Sequence, residues 1–316
     1  MTQSTTTTAT EHDSGFPPTG QVSLHFNTIT MEYRPQQAGT SQKIRPFEAT
    51  TEERIMSKKT KLHLCIDRII PIEQKIVAAT LAIDEYPGNQ PRMPRALAGA
   101  SMHPAKMALL TGKKWRVGRE LGVYFMDGSA TQKAKVRQFA EMWMPYANIS
   151  FNFSASQNRA EIRVSFEADD GSWSAIGTDS LHTAYFRKSE PTMNFGWLRD
   201  STDDEEWRRV VVHEFGHALG AIHEHQNPKS GVKWNLQAVY DYFSGPPNNW
   251  SKADIDHNII QKYSLDQLNA SKFDAKSIML YSFPPELLQG GVGTANNTRL
   301  STGDKRFIRR MYPKVA

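Results

Sequence analysis

Val211-Val212-His213-Glu214-Phe215-Gly216-His217-Ala218-Leu219-Gly220-Ala221-Ile222-His223-Glu224 is the stretch on which the reading of this chain turns. On a helix of about 3.6 residues per turn, His213 and His217 lie one turn apart and point the same way. Two imidazoles at that spacing can grip one zinc ion, with Glu214 beside them as a candidate general base. Gly220 stands where a helix ends in a left-handed residue. The reversed chain can then return His223 as a third nitrogen ligand. Three protein ligands leave one coordination position for water, as catalytic rather than structural zinc sites do. A bare His-Glu-x-x-His occurs by chance on many helices, but here the glycine and the third histidine also fall at the required offsets.

Around this helix the composition is that of an ordinary globular protein. The 316 residues, 39% hydrophobic and 22% charged, allow one large domain or two small ones. No apolar run approaches the roughly 20 residues that span a bilayer. Met1 to Gly20 is polar and Thr-rich, without the apolar centre of a signal peptide. Cys65 is the one cysteine, so no intrachain disulfide can form, which fits a reducing compartment or an exported protein that does without disulfides. The 38 basic residues exceed the 33 acidic ones by only five, with no basic block, and no nucleic-acid partner is expected.

Residues 1–50, rich in Thr, Ser, Gln, Gly and Pro, are expected to be a disordered tail. Residues 61–70 read as a short extended segment, and a helix is expected from Pro71 to about Tyr86 with Ile72, Ile76, Ala79 and Ile83 on its apolar face. Proline-rich residues 87–112 read as a linker, so 51–110 would be a small pro-segment-like or accessory region and 111–316 the main domain. Within that domain, 121–126 reads as a strand and 131–146 as a helix buried through Val136, Phe139, Ala140 and Trp143. Residues 149–153 and 162–166 alternate with period two, as half-buried strands do. Short strands are expected at 182–187 and 192–197. The histidine helix should start near Ser201-Thr202, with Asp203, Asp204, Glu205 and Glu206 in a first turn where the helix dipole favours negative charge. A helix around 251–262 and a capped final helix between Leu300 and Pro313 complete the pattern.

These residues resemble a known family. His213 to His223 is the metzincin signature, and Glu224 directly after the third histidine is the residue found in astacins. Ser277-Ile278-Met279-Leu280-Tyr281 is similar to the astacin Met-turn, and Gly171-Ser172-Trp173-Ser174-Ala175-Ile176-Gly177 to the astacin segment G-C-W-S-x-V-G. The closing Leu300-Ser301 to Tyr312-Pro313 resembles the last helix of astacins and matrixins. The likeness spans roughly residues 113–316. It departs from the astacin pattern at His225-Gln226-Asn227-Pro228, at Ser172 where astacins have cysteine, and at Leu280 where they often have histidine.

The resemblance implies an α+β zincin-like domain: a mixed twisted sheet, an active-site helix with a backing helix, and an irregular C-terminal subdomain. It implies a zinc-dependent metalloendopeptidase acting on proteins or peptides, extracellular in the family. His213, His217 and His223 would be the zinc ligands, and Glu214 would take a proton from water and pass it to the leaving amine. Met279 would lie beneath the metal without coordinating it. Tyr281 would hydrogen-bond the oxyanion, and Glu224 would pair with a processed N-terminus or serve as a local anchor. His225 exceeds the three-ligand pattern and is expected at the surface or behind the ligands, and His182 in a strand.

Three further readings come from the residues themselves. Trp173 and its neighbours are the candidate edge strand for an extended peptide, with 182–187 as the alternative. Cys65 reads either as a buried small hydrophobe or as a thiolate that fills the open zinc position. Astacins block the metal with an aspartate, for which Asp67 is the candidate. Two rival functions share the same residues: a zinc hydrolase of a non-protein amide, and an inactive peptide-binding module.

Overall fold

The computed structural model describes residues 21–22, 31–32, 62–68, 70–91, 111–246, 248–262 and 272–314. Most of the tail expected at 1–50 and of the linker expected at 87–112 lies outside them. The chain divides into two compact units, Met1–Lys59 and Thr60–Ala316. In the first, Gln21–Val22 pairs antiparallel with Met31–Glu32.

The second unit is a mixed α+β fold built on one five-stranded sheet. Its strands are β1 (Glu120–Phe125), β2 (Ser150–Asn152), β3 (Ile162–Ser165), β4 (Ser172–Ser174) and β5 (Met193–Phe195), in the order β2-β1-β3-β5-β4. The first three pairings are parallel and β4 runs antiparallel to β5, which leaves β4 on one edge. The helices are α1 (Ile72–Glu85), α2 (Ala130–Ala140), α3 (Asp204–Ala218), α4 (Leu236–Ser244), α5 (Lys252–Ile255) and α6 (Thr302–Met311). Among the described residues no helix is long and apolar enough to cross a membrane.

The main core lies between the sheet and helices α2 and α3. Leu121, Val123, Ile162 and Val164 from the sheet meet Val136, Phe139 and Ala140 of α2 and Val211, Val212 and Phe215 of α3. Helix α2 carries a capping box, with Ser129 accepting from the Gln132 N–H and the Gln132 side chain accepting from the Ser129 N–H. A second core gathers Trp234, Val239, Phe243, Ile255, Phe283 and Leu287, and this half of the unit is mostly irregular.

Several expectations need correcting. The residues of β3 are buried on both faces, not half-buried, because α2 and α3 cover the face of Ile162 and Val164 while the 186–190 turn covers the face of Arg163. Arg163 tolerates this by donating to the carbonyls of Ala160, Phe186, Arg187 and Glu190, which compensates its desolvation and pins the 186–190 turn. No strand forms at 182–187. The preceding 3-10 turn Gly177–Leu181 instead carries the chain into turns closed by His182 and Phe186 N–H groups, so His182 is a buried turn residue. Helix α2 stops at Ala140 and continues as a single 3-10 turn, Glu141–Trp143. The expected helix at 251–262 is α5 followed by a π-turn, Asp256–Ile260. On α1 the buried positions are Ala78 and Ala82, whereas Ile76 is 42% exposed. Small alanines let α1 approach the 177–181 turn closely, so its large apolar residues do not mark the inner face.

Candidate metal centre

Helix α3 begins at Asp203, whose carboxylate accepts from the Glu205 and Glu206 N–H groups, each at 2.9 Å. Every residue from Val210 to Ala218 is buried. Two tryptophans pin its far half: Trp143 Nε1 donates to Val212 O at 2.9 Å and Trp115 Nε1 to Ala218 O at 2.8 Å. The helix ends at Gly220, with φ at +90°, a conformation a side chain would strain. That reversal brings Ala221 O to within 2.9 Å of His217 Nδ1 and returns His223 to the same side.

The three imidazoles converge through one kind of atom. His217 Nε2 lies 3.1 Å from His213 Nε2 and 3.0 Å from His223 Nε2. Nitrogens about 2.0–2.1 Å from a tetrahedral zinc ion stand about 3.3 Å apart, so the cluster fits the ion with shifts of a few tenths of an ångström. Carbonyl groups orient two of the rings: His213 Nδ1 meets Ile278 O at 2.8 Å and His217 Nδ1 meets Ala221 O. Each contact leaves Nε2 as the acceptor that a metal needs. Burial, reinforced by the neighbouring imidazoles, pushes the His217 pKa down to about 4 and His213 well below its ordinary value. Neutral rings are the form that binds metal.

Cys65, 149 residues before Glu214 in sequence, joins this cluster: its Sγ and the three histidine nitrogens all lie within 4.8 Å of one another. The thiol donates to Glu214 Oε2 at 3.2 Å. Burial, with Glu214 and Asp67 nearby, holds the thiol well above its usual pKa, and burial likewise pushes Glu214 up to about 8. Asp67 sits elsewhere, its Oδ2 3.5 Å from His223 Nδ1, on the ring nitrogen that faces away from the cluster. The segment carrying both residues lies along the sheet edge. Cys65 forms a parallel bridge with Ser172 of β4, and the Ile66 N–H donates to Ser172 O at 3.1 Å.

The remaining sequence candidates lie at varying distances from the cluster. Tyr281 Oη is 2.5 Å from His223 Nε2 and donates to Cys65 O at 2.6 Å. Met279 packs under α3 at Gly216, where an added Cβ would lie 2.5 Å from its Sδ. Glu224 is a local anchor, accepting from the Asp274 N–H at 2.9 Å and the Asn227 amide at 3.2 Å. Burial raises its pKa to about 7. His225 is buried rather than at the surface; it stacks on His223 with centroids 5.3 Å apart, and its Nε2 meets Asn258 O. His182 stands apart from the cluster, among the turns after the 177–181 helix.

Two features escaped the sequence reading. Asp304, at the third position of α6, accepts from Ser277 Oγ at 2.6 Å and the Ile278 N–H at 2.9 Å. It thereby fixes the residue whose carbonyl meets His213. Trp197 and Arg209 line a small cavity together with Cys65, Val210, His213, Glu214 and Tyr281. The capping box Ser301-x-x-Asp304 was a visible signal for the first; nothing local marked the second.

Comparison with solved structures places this architecture among known proteins. One structure of myroilysin is 45% identical, with a TM-score of 0.62, over 65% of this chain and 97% of that one. A crystal structure of myroilysin is 36% identical, with a TM-score of 0.55, over 86% of this chain and all of that one. High choriolytic enzyme 1, a hatching-enzyme zinc-protease from the medaka Oryzias latipes, is 17% identical with a TM-score of 0.42, too distant to argue from. Family models and curated sequences return no match. With the His-Glu-x-x-His-x-x-Gly-x-x-His helix, the Met-turn beneath it and near-complete coverage of myroilysin, the chain belongs to the astacin-like metzincins, the zinc metalloproteases that include myroilysin.

Proposed function

We propose that His213, His217 and His223 hold the zinc ion, that Glu214 is the general base and Tyr281 the oxyanion donor, and that the substrates are proteins or peptides. The observation that carries this reading is the convergence of three Nε2 atoms at 3.0–3.1 Å beside a buried carboxylate. A zinc ion held there would supply Lewis acidity and make water acidic enough to lose a proton near neutral pH. Glu214 would take that proton and deliver it to the amine that leaves. The Tyr281 phenol, freed from Cys65 O, turns to the oxygen on which negative charge develops. An extended peptide would add to the edge of β4 in place of the Cys65 segment that pairs there.

The same geometry supports a latent full-length chain. Cys65, not Asp67, is the residue at the histidine cluster, where it would fill the coordination position that water needs. Residues 51–110 are then a pro-segment whose departure opens the site. Departure of Cys65 would free Glu214 Oε2 from its thiol and Tyr281 Oη from its carbonyl together.

Casein incubated with enzyme matured from the full-length chain tests the proposal. Cleavage should stop on chelation, return with Zn²⁺, and fall about 10²–10⁴-fold in Glu214→Gln. Cleavage that survives metal removal, or a Glu214→Gln enzyme as fast as the parent, contradicts it. Casein left intact while small amides are hydrolysed would favour the non-protein amide reading.

A further inference from the structure

The segment lying along the β4 edge inserts a second side chain besides Cys65. Arg68 forms an ion pair with Asp170 and lays its guanidinium on the Trp173 ring, with Cζ 4.4 Å from the centroid. Trp173 Nε1 donates to the other Asp170 oxygen at 2.9 Å, so indole and carboxylate are locked to each other independently of Arg68. Asp170 belongs to the turn before β4 and Trp173 to β4 itself, the strand that carries the peptide-binding edge. Arg68 stands three residues beyond Cys65, about 10 Å along an extended chain.

We propose that Asp170 and Trp173 form a substrate subsite for a basic side chain, arginine before lysine, about three residues from the scissile bond on one side of the metal. In the unprocessed chain Arg68 fills it. The inference rests on the peptidase reading above and on departure of the Cys65 segment from the cleft. The chemistry of the corner selects a cation: the carboxylate supplies charge, and the indole face attracts a planar guanidinium. On the other side of Cys65 along the segment the surroundings differ. There His63 stacks on Trp197, with centroids 4.6 Å apart, but the carboxylate tied to that indole, Glu206, is already held by Arg209 through two hydrogen bonds of 2.6 and 2.7 Å. That platform offers a ring without an unpaired negative charge, so the basic preference falls on one side only.

The test uses zinc-loaded enzyme matured from the full-length chain. Its substrates are peptides in which arginine, or its uncharged isostere citrulline, is stepped through each position on both sides of one scissile bond. The kcat/KM ratio of arginine to citrulline should reach about tenfold at a single position, about three residues from the bond. In Asp170→Asn that ratio should fall to about two- to fourfold, the part the indole face supplies. A ratio near one at every position in the parent enzyme overturns the subsite and leaves the peptidase reading standing. So does a ratio that Asp170→Asn does not move. Failure to hydrolyse any of the peptides overturns both.

Discussion

Beside the three imidazoles, the Cys65 thiol donates to Glu214 Oε2 across 3.2 Å, so one residue of the upstream segment occupies the candidate base and the candidate metal position together. Without metal, burial keeps that sulfur protonated; a cation on the histidines would favour the thiolate. Removing the sulfur would therefore remove a candidate ligand and a candidate block at once. Zinc-loaded full-length Cys65→Ala should mature faster than the parent, followed by gel as the disappearance of the full-length band. An unchanged maturation rate would assign Cys65 to simple packing.

Tyr281 Oη contacts His223 Nε2 and donates to Cys65 O, and departure of the Cys65 segment would release the second of these. Tyr281→Phe keeps the ring, and with it the packing against His213, His223 and Phe283. Its kcat should fall about 10²–10³-fold with zinc content unchanged. A kcat within about threefold of the parent would leave the hydroxyl without a part in the reaction.

Asp304 is a brace two steps removed from the metal. It receives hydrogen bonds from Ser277, Ile278 and Ser301, and Ile278 O orients His213. Asp304→Ala should lower stability by about 2–4 kcal/mol, through lost buried hydrogen bonds and a lost cap. Zinc affinity should fall about tenfold, because a ligand loses its fixed carbonyl. Urea denaturation and competition with a chromogenic chelator measure the two effects, and Asp304→Asn should recover part of each. A stability loss without any change in zinc affinity would separate the brace from the metal.

In the metal-free protein, pH acts in two opposing windows. Burial raises Glu214 to about 8 and Glu224 to about 7, from an unfolded value near 4.5, so the folded state holds those protons longer and stability falls as pH rises toward 8. Burial lowers His217 to about 4 and His225 to about 3, from near 6.5, so the unfolded state takes protons first and stability falls as pH drops below 6.5. Between about 4.5 and 6.5 the two effects offset each other. The thermal midpoint of chelator-treated protein should therefore peak in that mildly acidic window. A midpoint that climbs steadily to pH 8 would contradict the buried carboxylates.

What was legible in the sequence was local. The spacing of His213, His217, Gly220 and His223 fixes a helix, a reversal and a convergent donor set without help from the rest of the chain. Ser277 to Tyr281 could be matched as one short turn for the same reason. Contacts made across long separations were not legible: Trp115, Trp143 and Asp304 support α3 and His213 from elements whose own periodicity shows only that they are buried or capped. Arg163 misled because period-two patterning treats a charge as a surface residue, whereas four carbonyls of other segments satisfy it inside the sheet. Ile76 misled on α1 because alanine, not isoleucine, marks a close helix contact.

X-ray absorption at the zinc edge of the full-length chain addresses the metal centre directly. One zinc per chain should show three nitrogen neighbours at about 2.0–2.1 Å and one sulfur at about 2.3 Å, with the sulfur lost in Cys65→Ser and the nitrogens kept. A full-length chain that binds no zinc, or whose zinc spectrum lacks imidazole neighbours and is unmoved by His217→Ala, would contradict the account.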